Sequence, residues 1–276
     1  MQTSGIVTLT TDFGLADSYV GIMKGVILGI ARQATMIDIT HQISPQNIHQ
    51  AAYIVQTFED YFPQGTVHVV VVDPGVGGNR RRIVLATPVA LYVAPDNGVL
   101  TYVWRDATAR WGMERCAVYE LTEPRYWLPH VSSTFHGRDV FAPVAAHLAL
   151  GVPPARMGER REQIVEAPLE QPSRGRNGEL VGRIIHLDNF GNCITNITPE
   201  HLHAAGFGDR VVVQLIGQRI DGLCRIYADV ALGALVALIG SSDRLEIAVR
   251  NGSAAQTLGA GIGDTVRVFP APHDGS

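Results

Sequence analysis

The stretch VVVVDPGVGGNR, residues 69–80, indicates how the N-terminal half of the chain folds. Four valines run directly into Asp73 and Pro74, a pattern typical of a strand that is buried on both faces and ends abruptly. Asp73 then lies at the carboxyl end of that strand, where open α/β sheets place their functional groups. The glycines allow a tight turn, and Arg80 closes the loop with a fixed positive charge. Taken alone, the stretch also fits an ordinary strand-end turn with a salt bridge.

The segments around this stretch alternate between strand and helix. Residues 6–10 and 36–39 are predicted strands, and residues 19–31 and 47–58 are predicted helices. That alternation is typical of parallel βαβ units. After residue 178 the pattern changes to short strands separated by turns, which favours a small antiparallel barrel. We therefore predict an α/β fold. An N-terminal α/β domain with a mostly parallel central sheet (1–160) is followed by a linker (161–178) and a C-terminal small antiparallel β-barrel (179–276).

The composition favours a globular protein with a small-molecule partner. The chain is 46% hydrophobic and 17% charged, with a formal net charge of −4, so it lacks the basic excess of proteins that bind nucleic acid or anionic membranes. It shows no basic leader and no apolar run of membrane-spanning length, so we expect a cytoplasmic protein with no membrane partner. Cys116, Cys193 and Cys224 are far apart and without a CxxC motif, which predicts reduced thiols.

Polar residues follow other predicted elements of the N-terminal half. Asp12 lies just past the first strand, where a carboxylate can accept hydrogen bonds from ribose hydroxyls. Asp17 fits a helix cap and a ligand contact equally well. His136 lies in a loop before an apolar helix, and loops carry sites more often than cores do. Asp96 and Asn97, in APDNG, are most simply turn residues.

The C-terminal half contains two polar loops between predicted strands. The first loop includes Asp188, Phe190 and Asn192, and residues 240–244, GSSDR, form the second. An aromatic ring such as Phe190 or Tyr227 can stack on a base, and an asparagine can pair with an adenine edge. Each feature alone also fits a hairpin turn with a packed aromatic side chain.

Taken together, TTDFGLADSYVG, VDPGVGGNR, APDNG, TFHGRD and DNFGNCITNI resemble the S-adenosyl-L-methionine hydroxide adenosyltransferase family, whose relatives include fluorinating and chlorinating enzymes that act on the same substrate. The resemblance runs from near residue 6 to near residue 268 and keeps the order of the motifs. It implies hydrolysis of S-adenosyl-L-methionine to adenosine and L-methionine, with no cofactor and no metal. It also implies a homotrimer whose sites lie between one subunit's N-terminal domain and its neighbour's barrel.

The resemblance also implies roles for individual residues. Asp73, Arg80 and His136 would hold and activate a water, and either Asp73 or His136 could take its proton. The remaining residues would bind the substrate: Asp12 the ribose hydroxyls, Asp17 and Asp188 the methionine amino group, Ser241 and Ser242 the methionine carboxylate, and Phe190, Asn192, Tyr227 and the backbone near Arg250 the adenine.

Three alternatives remain open at this point. In a halogenase, halide attacks the same carbon; there the position of Asp73 resembles a tyrosine and that of Gly137 a serine. An ionised Asp73 would repel a halide, so hydrolysis is favoured. A protein that only binds S-adenosyl-L-methionine or adenosine would not need the three water-activating residues. A metallohydrolase using His136, Asp139, His41 and Asp73 ranks last, because no HxH or HExxH motif is present.

Overall fold

A computed structural model describes residues 2–208 and 210–271, and the chain divides into two compact units, Met1–Pro168 and Leu169–Ser276. The first unit contains seven strands and four α-helices among its described residues. In chain order these are β1 (Ile6–Thr11), α1 (Tyr19–Ile30), β2 (Thr35–Thr40), α2 (Ile48–Gln56), β3 (Thr66–Val71), β4 (Arg82–Ala86), β5 (Ala90–Pro95), α3 (Thr101–Trp111), β6 (Ala117–Glu120), α4 (Ala142–Ala149) and β7 (Arg160–Arg161).

The strands of the first unit form one sheet in the order β2-β1-β3-β5-β4-β6-β7. The first four strands in that order run parallel, and β4, β6 and β7 extend the sheet in antiparallel fashion. This sheet confirms the predicted α/β fold. Helix α3, which follows the APDNG segment, runs for 11 residues and buries Val103, Trp104 and Ala107 in the second of the two cores that flank the sheet.

Strand β3 is central to the sheet and to both hydrophobic cores of the first unit. Val69 and Val71 face the core formed with α1 and α4, whereas Val70 and Val72 face the core on the side of α2 and α3. Since side chains alternate along a strand, a run of valines is needed to fill both cores. The sequence-based interpretation of this run as doubly buried is confirmed.

The second unit is built from antiparallel strands with two short helices. Its elements are β8 (Ser173–Arg174), β9 (Leu180–Leu187), β10 (Cys193–Thr195), α5 (Pro199–Ala204), β11 (Val211–Leu215), β12 (Gln218–Asp221), β13 (Leu235–Ile239), β14 (Leu245–Val249), α6 (Ala254–Leu258) and β15 (Thr265–Pro270). The strand order is β12-β11-β15-β9-β10-β14-β13, with β8 paired to β9. The outer strands β12 and β13 contact each other, so the sheet curls into the predicted barrel.

The segment between the two halves carries regular structure at both ends. Arg161 belongs to β7, which pairs with β6 in the first unit. Ser173 and Arg174 pair with β9 in the second unit. The division between the units falls at Pro168 and Leu169, inside the range 161–178 that the sequence favours as a linker. None of the helices in the described part of the chain is both long and apolar enough to span a membrane.

Candidate active site

A cavity of about 260 Å³ opens in the first unit, beside the carboxyl ends of β1 and β3. These strands are parallel neighbours, so Asp12 and Asp73, which follow them, come to the same edge of the sheet. The cavity is lined by Asp12, Phe13, Gln46, Val71, Asp73, Pro74, Val76, Thr134, Phe135, His136 and Gly137. Residues far apart in sequence therefore share one pocket.

Asp73 and Arg80 form a nearly buried ion pair across the glycine-rich loop. Arg80 Nε donates to both carboxylate oxygens, Oδ1 at 2.9 Å and Oδ2 at 3.0 Å, and its Nη2 also donates to Oδ2. The side chains are only 5% (Asp73) and 10% (Arg80) exposed. Asp73 is among the residues that line the cavity, and Arg80 is not. Because Oδ1 accepts a single bond from Arg80, it keeps a lone pair for a water in the cavity.

His136 completes the cluster through the same guanidinium. Arg80 Nη2 lies 2.7 Å from His136 Nδ1. A guanidinium only donates hydrogen bonds, so Nδ1 is the acceptor and the proton of the neutral ring sits on Nε2. Burial, followed by the positive charges of Arg80 and Arg82, lowers the pKa of His136. His136 is therefore a neutral group that offers an N–H, and this bonding does not favour it as the proton acceptor.

The backbone around His136 has an unusual conformation. Residues Gly137–Phe141 form a single π-helical turn ahead of α4, a feature that often accompanies functional sites. Within it, the buried Asp139 accepts hydrogen bonds from the Arg138 side chain and from the Ser132 backbone N–H. Asp139 thus ties the preceding loop to the helix that presents His136.

The two loops of the site touch at Gly77. Its φ is +77°, and a Cβ at this position would lie 2.2 Å from the carbonyl oxygen of Ser133. Only glycine tolerates both the backbone angle and the contact. The glycines of the opening stretch therefore serve the packing of the Asp73–Arg80 loop against the His136 loop.

An aromatic cluster forms one wall of the cavity. The rings of Phe13, Tyr19 and Phe135 meet edge to face, with centroids 5.2–5.8 Å apart. Phe13 and Phe135 line the cavity itself. Gly137 packs tightly beside them, since a Cβ there would lie 3.2 Å from Met23 Sδ. This wall keeps part of the pocket apolar next to the charged residues.

Asp12 and Asp17, the two aspartates of TTDFGLADSYVG, differ in their position relative to the cavity. Asp12 lines the cavity and accepts a hydrogen bond from the backbone N–H of Gln46 at 2.8 Å. Gln46 holds a positive φ of 66°, a strained conformation at the cavity wall. Asp17 is exposed and lies outside the residues that line the cavity. It does not cap α1 either, because the N-cap position belongs to Ser18.

In the second unit, Asp188 organises the loop that follows β9. Its Oδ1 accepts the backbone N–H groups of Phe190 and Asn192, both at 2.9 Å, and its Oδ2 accepts the Asn192 side chain at 2.8 Å. The Phe190 ring is 75% exposed. The loop is thus fixed in shape while it presents an aromatic ring outward.

Tyr227 is anchored by Glu246, a residue that the sequence analysis did not single out. The Tyr227 hydroxyl donates to Glu246 Oε1 at 2.6 Å. Burial, together with this bond, raises the pKa of Tyr227 to about 12. Burial also raises the pKa of Glu246, and the charge of Asp188 adds to the effect. An acidic residue inside the apolar strand LEIAV was the sequence signal for this group.

The serine loop and Arg250 lie at either end of β14. Ser241 and Ser242 belong to the turn between β13 and β14. The Arg250 side chain donates to the Val230 carbonyl at 2.6 Å and so supports the loop that carries Tyr227. Its backbone N–H and carbonyl are already bonded to Ala234 and Gly233. The Arg250 side chain therefore braces this loop.

Comparisons with known proteins identify the family of this chain. Residues 7–158 match the model of the SAM hydroxide adenosyltransferase N-terminal domain, and residues 182–267 match that of the C-terminal domain. The chain belongs to the SAM hydroxide adenosyltransferase family. A relative in Thermus thermophilus, an (R)-S-adenosyl-L-methionine hydrolase, is 39% identical over 95% of this chain and 99% of its own.

Two further proteins are similar to this chain over nearly its whole length. A fluorinase from Nocardia brasiliensis is 28% identical over 95% of this chain and 97% of its own. The crystal structure of an uncharacterized conserved protein from Thermotoga maritima superposes with a TM-score of 0.86. It is 37% identical and the match covers 96% of this chain and 99% of that protein. The family resemblance expected from the motifs is confirmed.

The side chains of His41 and Asp139, which a metal site would need, have other partners in the described part of the chain. His41 Nδ1 lies 2.9 Å from Thr11 Oγ1, and its Nε2 lies 3.1 Å from Asp38. Asp139 is bonded to Arg138 and Ser132. Across residues 2–208 and 210–271, no group of three or more His, Cys, Asp and Glu side chains is placed to hold a metal ion.

Proposed function

We propose that this protein hydrolyses S-adenosyl-L-methionine to adenosine and L-methionine, as the names of its family relatives suggest. The observation that carries the proposal is the cavity-facing carboxylate of Asp73, held by Arg80 beside the neutral His136. A carboxylate acceptor and an N–H donor in one small pocket can hold a water in a fixed direction.

The reaction needs little chemical help beyond positioning. A lone pair of the water oxygen forms a bond to the ribose C5′ as the C5′–S bond breaks. The electron pair of the C5′–S bond passes to sulfur and neutralises the sulfonium. Asp73 takes the proton of the water and later gives it to solvent, and the His136 Nε2–H donates to the water oxygen. Arg80 is bonded to both Asp73 and His136 and so fixes their positions. Oriented reactants of this kind can reach effective molarities on the order of 10⁵ M.

The walls of the cavity support water over halide as nucleophile. The ionised Asp73 repels an anion in the same pocket. Phe13 and Phe135 exclude bulk water from one side, which strengthens the remaining electrostatic interactions. Asp12 is the group we assign to the ribose hydroxyls, because it lies on the same cavity edge as Asp73.

We assign most of the remaining substrate contacts to the second unit, with Asp17 of the first unit as the exception. Asp188 would receive the methionine amino group, with Asp17 as a second acidic group, and Ser241 and Ser242 the carboxylate. Phe190, Asn192 and Tyr227 would hold adenine by stacking and hydrogen bonding. The shared charge environment of Asp188, Tyr227 and Glu246 supports a common site for these groups.

We also propose a homotrimer in the cytoplasm. An exposed apolar face on α1, with Ile22 37% and Leu28 40% exposed beside Gly21, Gly25 and Gly29, supports burial against another subunit. The three cysteines are free thiols, which suits a reducing compartment. Analytical ultracentrifugation of the purified protein tests the assembly, and a sedimentation coefficient of a monomer would contradict it.

The decisive experiment is incubation with S-adenosyl-L-methionine in ¹⁸O-labelled water containing chloride, followed by mass spectrometry of the nucleosides. We expect adenosine labelled at its 5′ oxygen, together with methionine. A 5′-chloro nucleoside would identify a halogenase, and unchanged substrate would leave a binding protein. A chelator in a parallel reaction should not alter the rate, whereas loss of turnover would favour the metal-dependent alternative.

A further inference from the structure

We infer that Asp96 and Asn97 of the APDNG segment are positioning residues that fix both ends of the loop bearing Asp73 and Arg80. The inference rests on the proposed function, because it concerns the residues that align the attacking water. The sequence alone suggested only a turn at this place. The structure gives both side chains long-range partners at the two ends of the loop.

Asn97 holds the beginning of the loop. Its Nδ2 donates to the carbonyl oxygen of Val72 at 2.9 Å, and its Oδ1 accepts the backbone N–H of Val99 at 3.3 Å. Val72 lies one residue past the end of β3 and directly before Asp73. A shift of the Val72 carbonyl therefore moves the Asp73 backbone with it.

Asp96 holds the end of the loop. Its backbone N–H donates to the Arg81 carbonyl at 2.9 Å, and its Oδ2 accepts Arg81 Nε at 2.7 Å. Its Oδ1 accepts the Val165 backbone N–H at 2.6 Å. Asp96 is 4% exposed, so these bonds are protected from water. Arg81 directly follows Arg80, whose guanidinium is hydrogen-bonded to both Asp73 and His136.

The two contacts act together because Asp96 and Asn97 follow directly on strand β5, the neighbour of β3 in the sheet. Both ends of the loop from residue 73 to residue 80 are thus hydrogen-bonded to the segment that follows β5. Displacement of reacting groups by about 1 Å can cost about 100-fold in rate. Neither side chain lines the cavity, so both act through other residues.

The test compares Asn97→Ala with Asn196→Ala. Asn196 is a matched control in the second unit, since its Nδ2 donates to the Glu170 carbonyl and its Oδ1 accepts the Arg183 N–H, both at 2.8 Å. We expect Asn97→Ala to lower kcat by about 10- to 100-fold with little change in KM or adenosine affinity. Asn196→Ala should keep kcat within about 3-fold of the wild type. Equal kcat values in the two variants would overturn the inference.

A second pair covers the case in which Asn97→Ala does not fold. Arg81 and Arg161 are both paired with acids, Asp96 and Glu120, and their side chains are similarly exposed, 33% and 36%. Arg81→Ala should lower kcat, whereas Arg161→Ala should not. Equal effects of the two substitutions on kcat would contradict the inference.

Hydrogen exchange separates this inference from the proposed function. Residues 72–81 should exchange faster in Arg81→Ala, and in Asn97→Ala where it folds, than in the wild type and the controls. This readout needs no turnover, so it still decides the inference if the wild type produces no adenosine. Unchanged exchange in that loop would refute the role of Asp96 and Asn97, whatever the activity.

Discussion

Replacing Asp73 by asparagine removes the charge of the proposed base and keeps its shape. The substitution should lower both the stability of the protein and its kcat, and the structure gives a separate reason for each. Asp73 accepts three hydrogen bonds from Arg80. Whichever way the amide of Asp73→Asn is turned, its NH₂ group faces either the guanidinium or the cavity. The variant therefore has a weakened ion pair and no proton acceptor of useful strength.

The expected magnitudes follow from burial and role. Breaking a buried pair costs about 3–5 kcal/mol of stability, and the retained amide oxygen puts this variant at about 3 kcal/mol. For a unit of this size that lowers the Tm by roughly 6–12 °C. Loss of a general base raises the barrier by about 3–5 kcal/mol, which is a fall in kcat of about 10²- to 10⁴-fold.

The assay measures kcat by the release of adenosine at a temperature well below the Tm of the variant, with the Tm followed separately. Glu179→Gln is the matched control, because Glu179 is a 5% exposed acid paired with Arg267 in the second unit. It should lower the Tm and leave kcat nearly unchanged. An Asp73→Asn enzyme with wild-type kcat would refute the assignment of Asp73 as the base.

Two further predictions concern the first unit. Burial lowers the pKa of His68 from 6.5 to about 3, so below pH 6.5 only the unfolded chain gains the proton, and stability falls as pH falls. Between pH 7 and pH 5, the free energy of unfolding measured with urea should fall by about 2 kcal/mol more in the wild type than in His68→Leu. An equal fall in the two proteins would contradict this prediction. Gly137→Ser should cost about 1–3 kcal/mol of stability, because its Cβ crowds Met23, Phe135 and Phe13 at 3.2–3.4 Å. The variant should also yield no 5′-chloro nucleoside, because the Asp73 carboxylate still repels chloride; a 5′-chloro nucleoside detected by mass spectrometry would contradict this.

Local sequence patterns were sufficient for the framework of the first unit. The four valines before Asp73 predicted a doubly buried strand because burial on both faces leaves no polar position in the run. The strand end then placed Asp73 at the functional edge, since parallel strands share that edge. The glycines beside it were informative for the same reason, although only the structure shows Gly77 against Ser133.

The contacts that sequence patterns did not reveal join residues that are far apart in the chain. Asparagine is common in turns, so the sequence around Asn97 indicates only a turn, whereas its partner Val72 is 25 positions away. Glu246 is bonded to Tyr227 across 19 positions. The tautomer of His136 depends on Arg80, 56 positions away. Spacing along the chain carries no information on such pairs, because the fold alone brings them together.

The residues proposed to activate the nucleophile all belong to the first compact unit, and most of those proposed to hold the substrate belong to the second. Substitutions that exchange one nucleophile for another can therefore accumulate in the first unit without disturbing most of the contacts proposed to bind the substrate. Such a division gives a lineage a simple route to new chemistry. It also suggests a strategy for engineers, who could vary the loops around Asp73 and Gly137 and leave the barrel untouched.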